Sequence, residues 1–489
     1  MKIRRIMTAS VSSGSGKTLI TCGLLRLLQK KGYRVASFKC GPDFIDPMFH
    51  EKVLGEKSLN LDPYLAGPSV CRMLLAEHAE HADLSVMEGV MGFYDGISPA
   101  SSEGGASDLA AVTDTPVLLI VPARGMSRSA LALIRGFLDF GDRSVSKPFE
   151  RVTSGKRIRG LILNRVSRSF YPVLKDMIEK ETGIPVVGYV PVLDDSMTLE
   201  SRHLGLVLPD EIRDFQQKLD RLAALMEETV DLSKILSLAD EACDLPDEEI
   251  AGTEEQMLKA VRGNLPCTGN REMDKLRIAV AEDEAFCFLY EDNLALLRKA
   301  GAEPVPFSPM HDAHLPEKTD GLILPGGYPE LHAEELSRKS GMREEIRKAV
   351  VSGLPTHAEC GGFLYLHRVL VDPDGRAFPM AGVFPGRVRN TGHLTRFGYA
   401  SLSGAPFFGI KTGPVRVHEF HYYESDDPGT DFLAEKPSGK RAYRCGFSRT
   451  TLYAGFPHIY YPAEPRVAGA FLRQCAAYHE QEVGSICRT

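Results

Sequence analysis

Long apolar runs are missing from this sequence. No stretch of 18 consecutive apolar residues occurs among its 489 residues, which predicts that no helix spans a membrane. The chain starts with basic residues, as a signal peptide does, but the apolar run behind them is short and ends in a glycine-rich turn. We therefore do not expect a secretory signal at this end.

Clustered cysteines and an excess of positive charge are missing as well. The ten cysteines are scattered and form no C-x-x-C pair. The formal net charge of −7 at pH 7 argues against nucleic acid as the main partner. A hydrophobic content of 43% and a charged content of 25% are typical of a globular protein, and the length allows about two or three domains. No internal repeat is evident.

A glycine-rich turn near the start of the chain is the strongest motif present. Residues 12–18 read SSGSGKT, after an apolar run and before a helical pattern. A strand, such a turn and a helix form a phosphate cradle from backbone N–H groups and the helix N-terminus. Val11 stands where the full motif has its first glycine, and a plain surface turn is the alternative. We expect ATP to be bound by Ser13, Gly14, Ser15, Gly16, Lys17 and Thr18. With an ATP site, unpaired cysteines indicate the cytoplasm.

Acidic residues follow two of the later apolar runs. A loop at 41–47 presents Asp43 and Asp46, and another predicted strand ends in Glu88. Ligands of open α/β sheets bind at the carboxyl ends of the strands. We expect Thr18, Asp46 and Glu88 to hold Mg²⁺, with Asp43 behind them; the alternative is that the aspartates only cap turns.

Alternating patterns predict the fold of the N-terminal part. Apolar runs at 117–121, 158–164 and 186–190 are separated by helical stretches, which predicts a doubly wound parallel sheet. A basic stretch at 144–159 interrupts this rhythm and is interpreted as an exposed loop without an assigned function.

Composition changes abruptly near the middle of the chain. The acidic, polar stretch there shows no clear period and is interpreted as a linker. A second α/β domain follows it. We predict an ATP-binding synthetase domain at 1–240, an acidic linker at 241–273 and a second domain at 274–489.

A second centre of chemistry lies in the C-terminal part. Cys360 follows an apolar run and precedes two glycines, an arrangement typical of a nucleophile elbow at the start of a helix. The helix N-terminus would favour the thiolate. The expected oxyanion hole combines Gly326 and Gly327 with the N–H of Gly361. A cysteine nucleophile needs a base, for which a histidine is the usual source. The candidates are His458, His421 and His418, although a structural role is the default for any one histidine.

Several motifs together resemble known families. AECGG at 358–362 and PGGYPE at 325–330 resemble the class I glutamine amidotransferases. Together with KCGPDFIDP at 39–47 and the phosphate loop, they make the chain similar to the cobyrinate a,c-diamide synthase family. The likeness is strengthened by ESRHLGL at 200–206, DEAFCF at 283–288 and HEFH at 418–421.

This resemblance implies an ATP-dependent ligase with an N-terminal domain similar to dethiobiotin synthetase and a C-terminal amidotransferase domain. The first would phosphorylate the a and c carboxylates of cobyrinate in turn. The second would hydrolyse glutamine through a Cys360 thioester, and the released ammonia would attack the acyl phosphate. Hydrogenobyrinate and nickel-sirohydrochlorin stay open as substrates. A non-catalytic ATP switch of the partition-ATPase type is the alternative from another class.

The resemblance also bears on single residues. It implies that His458 is the base, but most class I amidotransferases carry glutamate two residues later, where this chain has Tyr460. The resemblance therefore implies a less well oriented histidine and free ammonia as a second nitrogen source. Carboxylate-rich rings favour arginine, so Arg202 and His203 are candidates for binding the substrate, and Asp43 is a further candidate. The sequence does not determine the oligomeric state, for which a homodimer is the candidate.

Overall fold

The computed structural model describes residues 1–140, 157–198, 208–263 and 276–486, together with the backbone of residues 201, 202, 205 and 206. The chain divides into two compact units, Met1–Thr253 and Glu254–Thr489. Each unit is described by itself below. No helix within the described ranges is long and apolar enough to cross a membrane.

The first unit alternates strands and helices. Its strands are β1 (Arg5–Ser10), β2 (Val35–Cys40), β3 (Leu59–Leu61), β4 (Leu84–Glu88), β5 (Val117–Pro122), β6 (Ile158–Asn164), β7 (Val186–Val190), β8 (Ser201–Arg202) and β9 (Gly205–Leu206). Its helices are α1 (Lys17–Lys30), α2 (Ile45–Leu54), α3 (Pro68–Ala79), α4 (Ala106–Val112), α5 (Arg128–Phe140), α6 (Tyr171–Thr182), α7 (Phe215–Thr229), α8 (Leu232–Asp240) and α9 (Asp247–Arg262), the last of which crosses the division between the units.

Seven parallel strands form the sheet of the first unit, in the order β3-β2-β4-β1-β5-β6-β7. Strands β1 and β4 are buried along their whole length, as expected of a parallel sheet covered on both faces. The predicted doubly wound parallel sheet is confirmed, and the strands predicted at 158–164 and 186–190 have the observed bounds.

This strand order places the ends of β2, β4 and β1 next to one another. In the register of the sheet, Glu88 on β4 lies opposite both Thr8 on β1 and Lys39 on β2. The turn that begins α1 follows β1 directly. The phosphate loop, Lys39 and Glu88 therefore meet at the carboxyl edge of the sheet.

Two irregular stretches differ from their predicted form. The stretch predicted as a linker contains α9, in which Met257 and Val261 are buried. Apolar residues at this spacing give the segment a packed face that its acidic composition obscures. The exact domain bounds stay a prediction. Residues 144–156 of the basic stretch lie outside the described residues, while residues 158 and 159 already belong to β6.

The second unit mixes a parallel sheet with antiparallel ones. Its strands are β10 (Arg277–Ala281), β11 (Glu303–Phe307), β12 (Gly321–Leu324), β13 (Thr356–Glu359), β14 (His367–Val371), β15 (Ala377–Pro379), β16 (Phe384–Asn390), β17 (Arg396–Ser403), β18 (Val415–His421), β19 (Tyr423–Ser425), β20 (Phe432–Glu435), β21 (Ala442–Cys445), β22 (Phe447–Arg449), β23 (Leu452–Gly455) and β24 (His458–Ile459). Its further helices are α10 (Glu291–Lys299), α11 (Ala333–Arg338), α12 (Ser340–Val351), α13 (Gly361–Leu366) and α14 (Pro465–Ile486).

The central sheet of this unit has the order β11-β10-β12-β13-β23-β22, and only its β22–β23 pair is antiparallel. Strand β13 lies between β12 and β23. The turns that follow these three strands are therefore neighbours at one sheet edge, although they are far apart in the chain. A five-stranded antiparallel sheet, β21-β20-β17-β18-β24, ends on the strand that carries His458.

Candidate active sites

The phosphate loop of the first unit contains two left-handed glycines. Gly14 has φ 75° and Gly16 has φ 85°, a region that glycine enters without steric cost. A Cβ on Gly16 would come within 2.6 Å of Nδ2 of Asn164, and this amide donates to the carbonyl of Ser15 at 2.8 Å. Asn164, the last residue of β6, therefore supports the loop. The sequence analysis missed it, although its place at a strand end was the available signal.

Lys17, the residue after Gly16 in this loop, is buried. Its Nζ donates to the carbonyl of Met91 at 2.8 Å and to Oγ of Ser10 at 3.3 Å. Burial, followed by the positive charge of Lys39, lowers the pKa of Lys17 to about 8. The phosphates of ATP would supply the missing negative charge. Ser13 lies exposed in the same loop.

The three predicted magnesium ligands form one hydrogen-bonded cluster with a buried lysine that the sequence analysis missed. Oγ1 of Thr18 donates to Oε1 of Glu88 at 2.8 Å. Nζ of Lys39 lies 2.5 Å from Oδ2 of Asp46 and 3.1 Å from Oε1 of Glu88. Nε2 of His50 contacts the other oxygen of Glu88 at 2.8 Å. Lys39 thus joins the two carboxylates, and its signal was the position directly before the CGPD loop.

The ionisation of this cluster follows from its charges. Burial alone lowers the pKa of Lys39, but the carboxylates of Asp46 and Glu88 outweigh it and raise the pKa above its ordinary value. Burial likewise raises the pKa of Glu88, and the charge of Lys39 with the hydrogen bond from His50 lowers it below the usual range. The lysine is therefore cationic and Glu88 anionic at neutral pH.

These oxygen donors fit Mg²⁺ better than a softer metal, because hydroxyl and carboxylate oxygens are its preferred ligands. Among the described residues, however, no group of three or more His, Cys, Asp or Glu side chains could hold a metal by itself. Phosphate and water oxygens would have to complete the coordination of the ion. The geometry suits a cation that is held jointly by the protein and a nucleotide.

Replacing Lys39 with methionine is expected to destabilise the first unit strongly, because the buried anionic Glu88 loses its counter-charge and Asp46 loses its hydrogen-bond partner. Removing one partner of a buried ion pair costs about 3–5 kcal/mol. For a unit of this size we expect a thermal midpoint lower by about 6–20 °C. The matched control is Lys30→Met, whose ammonium forms an exposed pair with Asp220 at 2.8 Å. Equal midpoints for the two variants in calorimetry would contradict this assignment.

The remaining predicted residues of this unit have different outcomes. Oδ1 of Asp43 accepts the N–H of Ile45 at 2.8 Å and that of Asp46 at 3.4 Å, so it caps the start of α2. This contact is the structural alternative considered above, and a role toward substrate stays a prediction. His203 lies outside the described residues, as does the side chain of Arg202.

Cys360 lies at the turn between β13 and α13 in the second unit. Its φ of 43° is strained for a residue other than glycine, and its side chain is buried. A Cβ on Gly362 would come within 2.0 Å of the carbonyl oxygen of Leu324, so only glycine fits at that position. The tight turn directs the thiol to the sheet edge at the N-terminus of a helix.

His458 approaches Cys360 from the neighbouring strand. It follows β23, which pairs with β13, and it is hydrogen-bonded to the cysteine. A Cβ on Gly326 would come within 2.6 Å of its Cε1, so the glycine makes room for the ring. Burial lowers the pKa of His458, but contacts with Cys360 and Glu359 outweigh it and raise the pKa to about 10. The imidazole is therefore cationic at neutral pH.

The predicted oxyanion glycines lie at the same edge. Gly327 has φ 151°, and a Cβ on it would come within 2.2 Å of the carbonyl oxygen of Ala285. A Cβ on Gly361 would come within 2.9 Å of the amide nitrogen of Gly327. The two amides are therefore neighbours beside Cys360, an arrangement that favours the oxyanion-hole hypothesis without testing it.

A carboxylate other than the one expected two residues after the histidine lies beside His458. Oε2 of Glu359, the residue before the cysteine, lies 3.2 Å from Nδ1 of His458. The hydroxyl of Tyr460 donates instead to Oδ2 of Asp292 at 2.8 Å. A carboxylate on β13 thus meets the ring from another strand, which the spacing around His458 could not reveal.

His421, the alternative base, is held elsewhere. Its Nδ1 contacts the carbonyl of Tyr423 at 2.7 Å, and its ring stacks on Phe456 at a centroid distance of 3.9 Å. Burial lowers its pKa to about 3, so it is neutral at physiological pH. The pKa of His418 is likewise lowered to about 3 by burial. Of the three candidates, His458 is the one that is hydrogen-bonded to Cys360 among the described contacts.

Comparisons with known proteins cover almost the whole chain. A family model described as a CobQ/CobB/MinD/ParA nucleotide binding domain matches residues 6–207, and a CobB/CobQ-like glutamine amidotransferase domain matches residues 277–460. The cobyrinate a,c-diamide synthase of Priestia megaterium is 35% identical over 481 residues, covering 98% of this chain and 98% of the relative. The enzyme of the same name from Caldanaerobacter subterraneus subsp. tengcongensis is 36% identical, covering 97% of this chain and 99% of the relative.

Proposed function

Since the chain belongs to the cobyrinate a,c-diamide synthase family, we propose that it amidates the a and c carboxylates of cobyrinate with glutamine nitrogen at the expense of ATP. The observation that carries this proposal is the presence of two separate centres in one chain. One is a phosphate loop beside buried acids, and the other is a strained cysteine in contact with a histidine. A ligase that draws its nitrogen from glutamine needs both.

The first centre activates a carboxylate, which is by itself a poor electrophile. A carboxylate oxygen of the substrate attacks the γ-phosphorus of ATP, ADP leaves, and an acyl phosphate results. Lys17 and the loop amides neutralise charge on the transferred group, which is the main protein contribution to phosphoryl transfer. Ammonia then attacks the acyl carbon, phosphate leaves, and the amide loses a proton.

We propose that Thr18, Asp46 and Glu88 hold Mg²⁺ together with the nucleotide. The ion would supply charge neutralisation at the β- and γ-phosphates of ATP. Lys39 joins Asp46 to Glu88, so it would keep these two acidic side chains in place. A binding role for Asp43, Arg202 and His203 toward the ring is also part of the proposal.

The second centre releases the ammonia. The thiolate of Cys360 attacks the side-chain carbonyl carbon of glutamine, and the amides of Gly327 and Gly361 stabilise the resulting oxyanion. His458, cationic at neutral pH, protonates the leaving nitrogen, and ammonia departs to leave a thioester. The now neutral His458 takes a proton from water, which attacks the thioester and releases glutamate.

Location and assembly belong to the proposal as well. The cysteines of the described residues are all free, which supports a reducing compartment such as the cytoplasm. A homodimer is the candidate assembly. Free ammonia is proposed as a second nitrogen source, because the first centre needs only the nucleophile.

Two alternatives keep different parts of this scheme. Hydrogenobyrinate or nickel-sirohydrochlorin as substrate would leave the chemistry unchanged, because a similar ring with similar carboxylates needs a similar pocket. A non-catalytic ATP switch would leave the paired Cys360 and His458 without a purpose, and the contact between them argues against it.

The product mass after incubation with ATP, Mg²⁺, glutamine and cobyrinate tests the function. Each exchange of OH for NH₂ lowers the mass by about one unit, so a diamide is lighter by about two units. Omitting ATP should abolish the change. If cobyrinate stays unchanged and hydrogenobyrinate or nickel-sirohydrochlorin is amidated instead, the substrate is that other ring and the chemistry is the same. No amidation and no glutamine hydrolysis with any ring would favour the switch.

A further inference from the structure

We propose that Glu359 is the positioning acid of the glutamine-hydrolysing site, in place of the glutamate that other class I amidotransferases carry two residues after the histidine. This inference rests on the proposed function of the second centre. It adds a third residue to Cys360 and His458. This residue directly precedes the nucleophile and ends β13, the strand that pairs with β23.

The two carboxylate oxygens of Glu359 hold both the ring and the backbone of the histidine segment. Oε2 lies 3.2 Å from Nδ1 of His458, and Oε1 accepts the N–H of Ile459 at 2.8 Å. The glutamate side chain is only 8% exposed and that of the histidine 2%. Water therefore competes little for these bonds, and the carboxylate defines where the ring lies.

This contact also selects the tautomer that the chemistry requires. A carboxylate can only accept, so Nδ1 of His458 carries a proton and Nε2 is the nitrogen that exchanges one with the thiol of Cys360. Gly326 lies against the ring at Cε1 and limits its movement. An acid in this position of a triad orients the imidazole and stabilises the imidazolium.

A second histidine continues the hydrogen-bond chain. Nε2 of His357 lies 2.6 Å from Oε1 of Glu359, and its Nδ1 lies 2.5 Å from the hydroxyl of Tyr461. Burial, and then the charge of Glu359, raise the pKa of Tyr461, so its hydroxyl keeps its proton. Because a carboxylate only accepts, Nε2 of His357 donates to Glu359. Glu359 is thus held by His357 as well as by the His458 segment.

The network keeps the glutamate ionised. Burial alone raises the pKa of Glu359, but the two histidines outweigh it and lower the pKa to about 2. The carboxylate is therefore charged throughout the physiological range. Tyr460 occupies the position where the acid was expected. Its ring packs edge-on against that of Tyr290 at a centroid distance of 5.0 Å, and its hydroxyl donates to Asp292.

The test replaces Glu359 with glutamine and measures glutamate release and ammonia-dependent amidation separately. A glutamine amide offers a donor to Nδ1 and favours the wrong tautomer, so we expect kcat/KM for glutamine hydrolysis to fall about 10²–10⁴-fold. Ammonia-dependent amidation should change less than about threefold, because it bypasses the site. Glu359→Asp should recover part of the loss. Tyr460→Phe is the matched control and should keep hydrolysis within about threefold, since it keeps the ring and removes only the hydroxyl that donates to Asp292.

The pH profile separates positioning from a merely structural role. The pKa of His458 is raised to about 10, so hydrolysis should decline only as pH rises through that value. Loss of the Glu359 charge removes one cause of the rise, and the basic limb of Glu359→Gln should move to lower pH. The proposal would be overturned if the basic limb of the Glu359→Gln profile stayed at the same pH, or if this variant hydrolysed glutamine as fast as the unaltered protein.

The test of Glu359 can fail independently of the proposed function, and it does not depend on one variant. Glutamate release reports on Glu359 even if cobyrinate proves not to be the substrate. Should Glu359→Gln fail to fold, a smaller shift of the basic limb to lower pH is required of Glu359→Asp, whose shorter side chain lengthens the contact with Nδ1. An unmoved limb in the aspartate variant would then overturn the proposal.

Discussion

Replacing Cys360 with alanine should abolish amidation from glutamine and spare amidation from ammonia. The variant lacks the only atom that can form the thioester, so glutamine-dependent turnover should fall by about 10⁴-fold or more. Ammonia attacks the acyl phosphate directly, and the first centre lies in a different unit of the chain. The measurement is product mass with glutamine or with ammonium chloride as the nitrogen source.

Cys445→Ala is the matched control for this experiment. Cys445 is a buried, free cysteine of the same unit, and the substitution removes the same atom. We expect this variant to use both nitrogen sources. If Cys360→Ala folds and yet loses both activities, the division of labour between the two centres is wrong.

The second large effect is expected from Lys17→Ala, which should abolish amidation from either nitrogen source. Lys17 donates to the hydroxyl of Ser10 and to the carbonyl of Met91, so its positive charge has no carboxylate at hydrogen-bond distance among the described contacts. Removing one preorganised donor to a developing charge costs about 10²–10³ in rate, and weaker ATP binding adds to this loss. Ammonia-dependent turnover and ATP titration calorimetry measure both effects.

The pH dependence of ATP binding makes this test specific for the ammonium group. Because the pKa of Lys17 is lowered to about 8, the free enzyme loses this charge as pH rises through that value. ATP affinity should therefore fall above pH 8, by up to about tenfold per pH unit, and the variant should lack this slope. Lys30→Ala, at the far end of α1, should behave like the unaltered enzyme. Retained ammonia-dependent amidation in Lys17→Ala would contradict the assignment of the loop.

Local motifs predicted both centres because their geometry is encoded within a few residues. A left-handed Gly16 at the start of α1 and a strained Cys360 before two glycines are consequences of neighbouring residues, which a single stretch of sequence displays. The alternation of apolar runs with helical stretches likewise predicted the parallel sheet of the first unit. What spacing did not predict is α9 within the acidic stretch, because its packed face has few apolar positions.

By itself, the sequence determined the class of fold, the phosphate loop, the cysteine elbow and the two-centre scheme, since each of these depends on contiguous residues. Only the tertiary structure decided which distant side chains complete the centres. Lys39 reaches Glu88 because β2 lies beside β4, and Glu359 reaches His458 because β13 lies beside β23. Strand order sets these contacts, and it results from packing of the whole unit rather than from any one segment of the chain.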